Sequence, residues 1–151
     1  KECVCDAATV RRYLNRISGP LLDRIDLHVE VTPVSFDQMT ARRPTEKSAV
    51  IRERVLKARA LQQHRFQGSK DVHANAMMPS TMAKDVCKIS KAGQNLLKAA
   101  TEKLGLSARA YDRILKVART IADLADKEDI KEEHLAEAIQ YRSLDREGWG
   151  G

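Results

Sequence analysis

Apolar residues recur at helical spacing through the second half of the chain. The clearest row follows Ser107, where apolar side chains stand at i, i+3, i+4, i+7, i+10, i+11 and i+14. Its members are Tyr111, Ile114, Leu115, Ala118, Ile121, Ala122 and Ala125. This spacing predicts a long helix, capped by Ser107, that turns one face towards a core.

Three more helical patterns surround this helix from about Asn75 onwards. The first opens at Pro79, because proline suits a first helical turn, and the second follows Ser90 and stops at Gly105. The third spans about residues 131 to 142, where Asp129 with Glu132 resembles a capping box. Their inward positions are predicted to be Leu96, Leu97, Ala100, Leu135, Ala138 and Ile139. Short connections predict an antiparallel bundle.

The first third of the chain has a different pattern. A helix is predicted from Asp6 to Ile17, and Gly19 with Pro20 ends it. Residues 27 to 31 alternate as Leu, His, Val, Glu, Val and predict one strand. A lone strand is not stable by itself, so we expect its sheet to lie upstream of Lys1 and the strand to be poorly ordered or irregularly paired here.

A polar loop and a long helix connect the two parts. The loop runs from about Ser35 to Thr45, which is a candidate cap, and the helix runs from about residue 46 to 66. Its apolar face is predicted to hold Ile51, Val55, Ala58 and Leu61.

Composition supports a helical protein with an aliphatic core. Among 151 residues, 42% are hydrophobic and only 4% aromatic. No apolar run is long enough to cross a bilayer, so no membrane partner is expected. Three cysteines form no disulfide framework, which favours a reducing, cytoplasmic location. The net charge of +6 favours polyanions only in a general way.

The chain lacks a phosphate-binding loop of the GxxxxGK[ST] type. It therefore has no backbone cradle for a triphosphate and no Lys and Ser/Thr pair for Mg²⁺, and it should not hydrolyse ATP alone. No nucleophile motif suggests a hydrolase.

Arg24 lies in the segment ISGPLLDRIDLHVEV, directly before the predicted strand. A guanidinium held there could reach across a subunit boundary to a phosphoryl group, because its planar fork matches phosphate oxygens. The alternative is a simple ion pair with Asp23 or Asp26.

Arg109 falls in the first turn of the helix that Ser107 caps. A cation there opposes the helix dipole, and a bound nucleotide phosphate would account for it. The alternatives are an exposed arginine tolerated at small cost, or one paired with Asp112.

Four segments in this order resemble the magnesium-chelatase-like AAA+ ATPases, most closely the ComM group. They are GPLLDRID before a strand, RVLKARALQQHRF, LSARAYDRILKVARTIADL and EEHLAEAIQYR, which together span about residues 3 to 142. The resemblance implies that Arg24 is the arginine finger, acting in trans, and that Arg109 is the sensor-2 arginine, contacting ATP phosphate.

The resemblance also implies a fold that is mainly α: an AAA+ helical lid bundle preceded by the C-terminal end of the α/β core. Residues 1–34 would end the core, residues 35–73 would form an insertion and connecting helix, and residues 74–147 would form the lid. The parent would bind ATP and Mg²⁺ and assemble as a homo-oligomeric ring. It would act as a hexameric DNA helicase promoting branch migration in natural transformation.

Other candidate sites are weaker. Cys3 and Cys5 could be half of a zinc site whose partners lie upstream, since two thiolates cannot close a tetrahedral site. Solvated faces are expected for Arg113, Lys116 and Arg119 and for Arg54, Arg59 and Arg65, with DNA or subunit contacts as the alternative. The rival function is a helical nucleic-acid- or protein-binding module without nucleotide.

Overall fold

A computed structural model describes residues 4–40 and 45–142. Within these ranges the chain forms eight α-helices and one 3-10 turn at Asn75–Met77. The helices are α1 (Ala7–Leu14), α2 (Gly19–Leu22), α3 (Phe36–Thr40), α4 (Ser48–Arg65), α5 (Ser80–Val86), α6 (Lys91–Leu104), α7 (Ala108–Leu124) and α8 (Glu132–Gln140). In the described part no helix is both long and apolar enough to cross a bilayer.

Helix α7 is the centre of the bundle. It packs against α4, α5, α8 and the 3-10 turn, while α6 packs against α8. Four members of its predicted apolar row are buried: Ile114, Leu115, Ala118 and Ala122. They share one core with Leu97 of α6 and with Leu135 and Ala138 of α8. The predicted helical bundle is therefore confirmed.

Local capping signals placed most helix ends correctly. The hydroxyl oxygens of Ser90 and Ser107 accept hydrogen bonds from the N–H groups of Gly93 and Ala110, at 2.9 and 3.2 Å. Gly105 ends α6 in the left-handed conformation, with φ of 61°, which glycine adopts without steric cost.

Two predicted caps are wrong. Helix α8 begins after Lys131, whose backbone N–H donates to Nδ1 of His134 at 3.1 Å, so Asp129 and Glu132 do not form the capping box. Glu132 instead accepts a hydrogen bond from the Ser90 hydroxyl across the α6–α8 pair. Helix α4 begins after Lys47 rather than Thr45.

Helices α6 and α8 approach closely at Gly93. A Cβ atom at this position would lie 2.8 Å from Cδ1 of Leu135, well inside normal contact distance. The loops that precede the two helices are joined by one parallel β-bridge, between Ile89 and Ile130. Glycine is therefore required here by the packing rather than by the backbone conformation.

The strand predicted at residues 27 to 31 does not form. Within the described ranges the single β-bridge lies elsewhere, and this segment is extended without a ladder. A strand is stable only when its backbone N–H and C=O groups pair with a neighbouring strand. The described part of the chain contains no strand beside residues 27 to 31. The His28 N–H instead donates to the Tyr141 carbonyl oxygen at 2.8 Å, which is the irregular pairing expected of it.

The N-terminal helices bury little. Helix α1 forms with the predicted cap, because its Thr9 N–H donates to the Asp6 carboxylate at 2.7 Å, but none of its residues is buried. It ends at Leu14 rather than near Ile17, and Gly19 and Pro20 begin α2 instead of ending α1. Helix α4 buries only Ala58 and Gln62, and the other three residues of its predicted apolar face, Ile51, Val55 and Leu61, stay exposed in the described part of the chain. Part of the polar loop predicted before it forms the short helix α3.

Candidate functional site

Arg109 lies where the sequence places it, in the first turn of α7 after the Ser107 cap. Its side chain is exposed and makes no ion pair with any residue that the structure describes. The alternative pairing with Asp112 is absent, because the Asp112 carboxylate accepts a hydrogen bond from Ser80 on α5. An uncompensated cation therefore stands at the positive end of the helix dipole, an arrangement that suits an anionic ligand.

Arg24 is also exposed, two residues beyond α2. Its Nη1 donates to the Pro20 carbonyl oxygen at 2.8 Å, which orients the guanidinium without neutralising it. Neither neighbouring carboxylate pairs with it in the described part of the chain. Asp26 pairs with Arg113 of α7, and Asp23 lies 3.9 Å from Nη2 of Arg142.

The segment that carries Arg24 is held against the bundle. Leu22 is buried, and the Arg142 guanidinium donates to the Ile25 carbonyl oxygen. With the Arg113–Asp26 ion pair and the His28–Tyr141 hydrogen bond, these contacts join residues 22 to 28 to α7 and to the end of α8. The sequence pattern did not indicate this attachment, because the residues that it joins are about a hundred positions apart.

Two arginines predicted to be solvated are in a buried polar network instead. Arg119 is 4% exposed, and Asp123 is 2% exposed. The Arg119 Nε donates to the Asp123 carboxylate at 3.1 Å, while its Nη atoms donate to the carbonyl oxygens of Lys127 and Glu128. The i, i+4 spacing of Arg119 and Asp123 was the available signal for this pair.

Arg65 joins the same carboxylate from α4. Its Nη1 and Nη2 donate to the two Asp123 oxygens at 2.8 and 2.6 Å, and these bonds raise the pKa of Arg65 above its ordinary value. The Asn75 side chain donates to Asp123 at 2.8 Å and accepts from Arg65 at 2.9 Å. Arg65, Asp123, Arg119 and Asn75 therefore connect the long helix to the bundle, and we call them the Asp123 network.

The cysteines provide no metal centre in the described residues. Cys3 lies outside these residues, and Cys5 is an exposed free thiol. No group of three or more His, Cys, Asp or Glu side chains within residues 4–40 and 45–142 could hold a metal ion. Cys87 packs in the core, where burial raises the pKa of its thiol to about 11, so it stays protonated at neutral pH.

Comparison with known proteins agrees with the bundle and the segment before it. Residues 45–142 match the model for the C-terminal part of magnesium chelatase subunit ChlI, and residues 1–39 match the model for magnesium chelatase subunit ChlI. The first match alone covers more than half of the 151 residues. The chain belongs to the magnesium chelatase ChlI family.

Individual relatives place it within that family. It is 47% identical over 139 residues to the competence protein ComM of Haemophilus influenzae, covering 91% of this chain and 26% of that protein. It is 40% identical over 144 residues to the uncharacterized protein YifB of Escherichia coli, covering 94% of this chain and 27% of that protein. The chain thus spans about a quarter of the length of these relatives.

Proposed function

We propose that this chain is the C-terminal nucleotide-sensing and lid portion of a longer AAA+ ATPase. Residues 1–34 would end the ATPase core, residues 35–73 would form the insertion and connecting helix, and residues 74–147 would form the lid. Membership of the family supports this division, and ATP and Mg²⁺ would be bound by the ATPase core, because this chain has no phosphate-binding loop. ATP would supply the transferable phosphoryl group and Mg²⁺ would neutralise its charge.

Two exposed guanidiniums would complete the nucleotide site. Arg109 would contact phosphate oxygens of the ATP bound to its own subunit, and Arg24 would reach the γ-phosphate bound by the neighbouring subunit. The observation that carries this proposal is that both cations lack a carboxylate partner in the described part of the chain, although each has acidic residues nearby in sequence. A guanidinium left unpaired in this way suits phosphate, which it can bind through two parallel hydrogen bonds.

The test of this role is Arg24→Ala in the intact protein, meaning this chain together with its ATPase core. Removing an arginine finger should lower ATP turnover on the order of 10³-fold, because charge developing in the transition state loses its partner. Arg12→Ala is the matched control, since Arg12 is an exposed arginine on α1, which buries no residue. Unchanged turnover in an Arg24→Ala protein that assembles normally would remove the proposed role.

We further propose that the intact protein is a cytoplasmic hexameric ring that drives DNA branch migration during natural transformation. The support is the 47% identity to a relative named a competence protein, together with the net charge of +6. Native mass spectrometry tests the ring, because a hexamer would appear as a particle with the mass of six subunits. ATP-dependent conversion of a branched DNA substrate would test the activity.

One observation favours a direct nucleic-acid contact by the bundle, independent of nucleotide. A groove of about 770 Å³ between α5, α6 and α7 is lined by Lys84 and Lys88, by Lys98 in an ion pair with Glu102, and by Tyr111. Lysines suit a phosphate backbone, and a tyrosine ring can stack on a base. DNA affinity of this chain that falls steeply with salt, and that is lost in Lys84→Ala/Lys88→Ala, would favour this second function.

A further inference from the structure

One helix is connected to both proposed nucleotide-contacting arginines. Helix α7 carries Arg109 in its first turn and Arg113 four residues later, about 6 Å further along the helix axis. Arg113 forms an ion pair with Asp26, which is two residues after Arg24. The ion pair therefore connects α7 directly to the segment that holds Arg24.

Two further contacts hold the segment that carries Arg24 against the bundle. The Arg142 guanidinium, buried to 1% exposure, donates to the carbonyl oxygen of Ile25, between Arg24 and Asp26. The backbone N–H of His28 donates to the Tyr141 carbonyl oxygen at 2.8 Å. Residues 25, 26 and 28 are thus each bound to the bundle, so the short segment cannot rotate freely about a single ion pair.

The Arg113–Asp26 pair has a second consequence for Arg24. Asp26 is close enough in sequence to neutralise Arg24, and this pairing was the simple alternative for that arginine. Asp26 is engaged by Arg113, and among the described residues Arg24 is bonded to the Pro20 carbonyl oxygen rather than to a carboxylate. The side chains of Arg113 and Asp26 are 28% and 48% exposed, so the pair lies at the rim of the bundle rather than in its core.

We propose that Arg113 is a positioning residue for Arg24. Through Asp26 it holds Arg24 in register with α7 and prevents Asp26 from capturing it. This inference rests on the proposed function, because it requires Arg24 to act on a nucleotide.

The test uses the intact protein and separates turnover from binding. Asp26→Asn removes the ion pair from the exposed side and leaves α7 unaltered, so the bundle should fold normally. We expect kcat for ATP to fall on the order of tenfold to a hundredfold, as for a displaced catalytic group, with KM for ATP unchanged because Arg109 remains in place. Lys103→Ala, at an exposed lysine of α6, is the control.

A reversed pair distinguishes positioning from general loss of structure. Arg113→Glu alone should lower kcat at least as much as Asp26→Asn, and Arg113→Glu combined with Asp26→Lys should restore most of it. Wild-type kcat in Asp26→Asn, or no recovery in the reversed pair when it assembles as the wild type does, would overturn the inference. If Arg24→Ala still abolished turnover in that case, the proposed function would stand without this coupling.

Discussion

Asp123 shows how a single carboxylate can determine the arrangement of two helices. It accepts hydrogen bonds from Arg65 of α4, from Arg119 of its own helix and from Asn75 of the 3-10 turn. Buried charges are tolerated when they are paired and fully hydrogen-bonded, and this carboxylate accepts hydrogen bonds from all three of these residues. Within the described residues, α4 buries only Ala58 and Gln62, so the network adds charged hydrogen bonds to a helix with little other burial.

Replacing Asp123 should therefore be costly. Asp123→Ala leaves the Arg119 guanidinium buried without its carboxylate, and such a broken buried pair typically costs about 3–5 kcal/mol. Urea denaturation of this chain, followed by circular dichroism, measures the free energy of unfolding. Glu53→Ala removes an exposed pair with Lys57 on α4 and is the control, expected to change stability little. Equal effects of the two substitutions would contradict the role assigned to the network.

At the same scale, Arg119 shows where sequence interpretation failed. A helical wheel puts it among the polar positions of α7, and solvent exposure was the natural prediction. The chain after α7 folds back so that the Lys127 and Glu128 carbonyl oxygens accept from its Nη atoms. The helical period of 3.6 residues does not indicate how the chain continues after the helix. The Asp123 carboxylate, four residues after Arg119, did indicate a partner.

At the scale of elements, the helices of the bundle were predictable because their signals are local. Serine caps, a stop glycine and an apolar row repeated over four turns agree with one another in α6 and α7. The N-terminal segment was not predictable, because the Arg142–Ile25 contact spans 117 positions and replaces the expected strand. The two candidate arginines were predicted from their motifs, but the attachment of the Arg24 segment to α7 through Asp26 required the structure.

The contact between α6 and α8 can be tested at Gly93. Gly93→Ala should gain about 1 kcal/mol from helix propensity but lose about 1–3 kcal/mol from overpacking against Leu135, which is fully buried. We expect a net loss of stability, measured as a lower midpoint of urea denaturation. Gly19→Ala, where no atom lies within 4 Å of the added Cβ, is the control. A Gly93→Ala chain more stable than wild type would show that the two helices can separate at no cost.

At the scale of the whole molecule, the chain is a helical bundle with a short segment attached to its side and a long helix leading to it. Several apolar side chains of α4 remain exposed within the described part, among them Val50, Ile51, Val55 and Leu56. The relatives are about four times as long as this chain. Under the proposed function, the bundle would sense nucleotide and the attached segment would present Arg24 to a neighbouring subunit.

The central claim is that Arg109 acts within its own subunit and Arg24 acts on the next one, and mixing two inactive variants of the intact protein tests it most directly. Arg24→Ala and Arg109→Ala protomers are each expected to have little ATPase activity alone. In mixed rings, a subunit with intact Arg109 beside a neighbour with intact Arg24 forms a complete site, so activity should return in proportion to such interfaces. Mixtures that assemble together but remain as inactive as the separate variants would contradict the account.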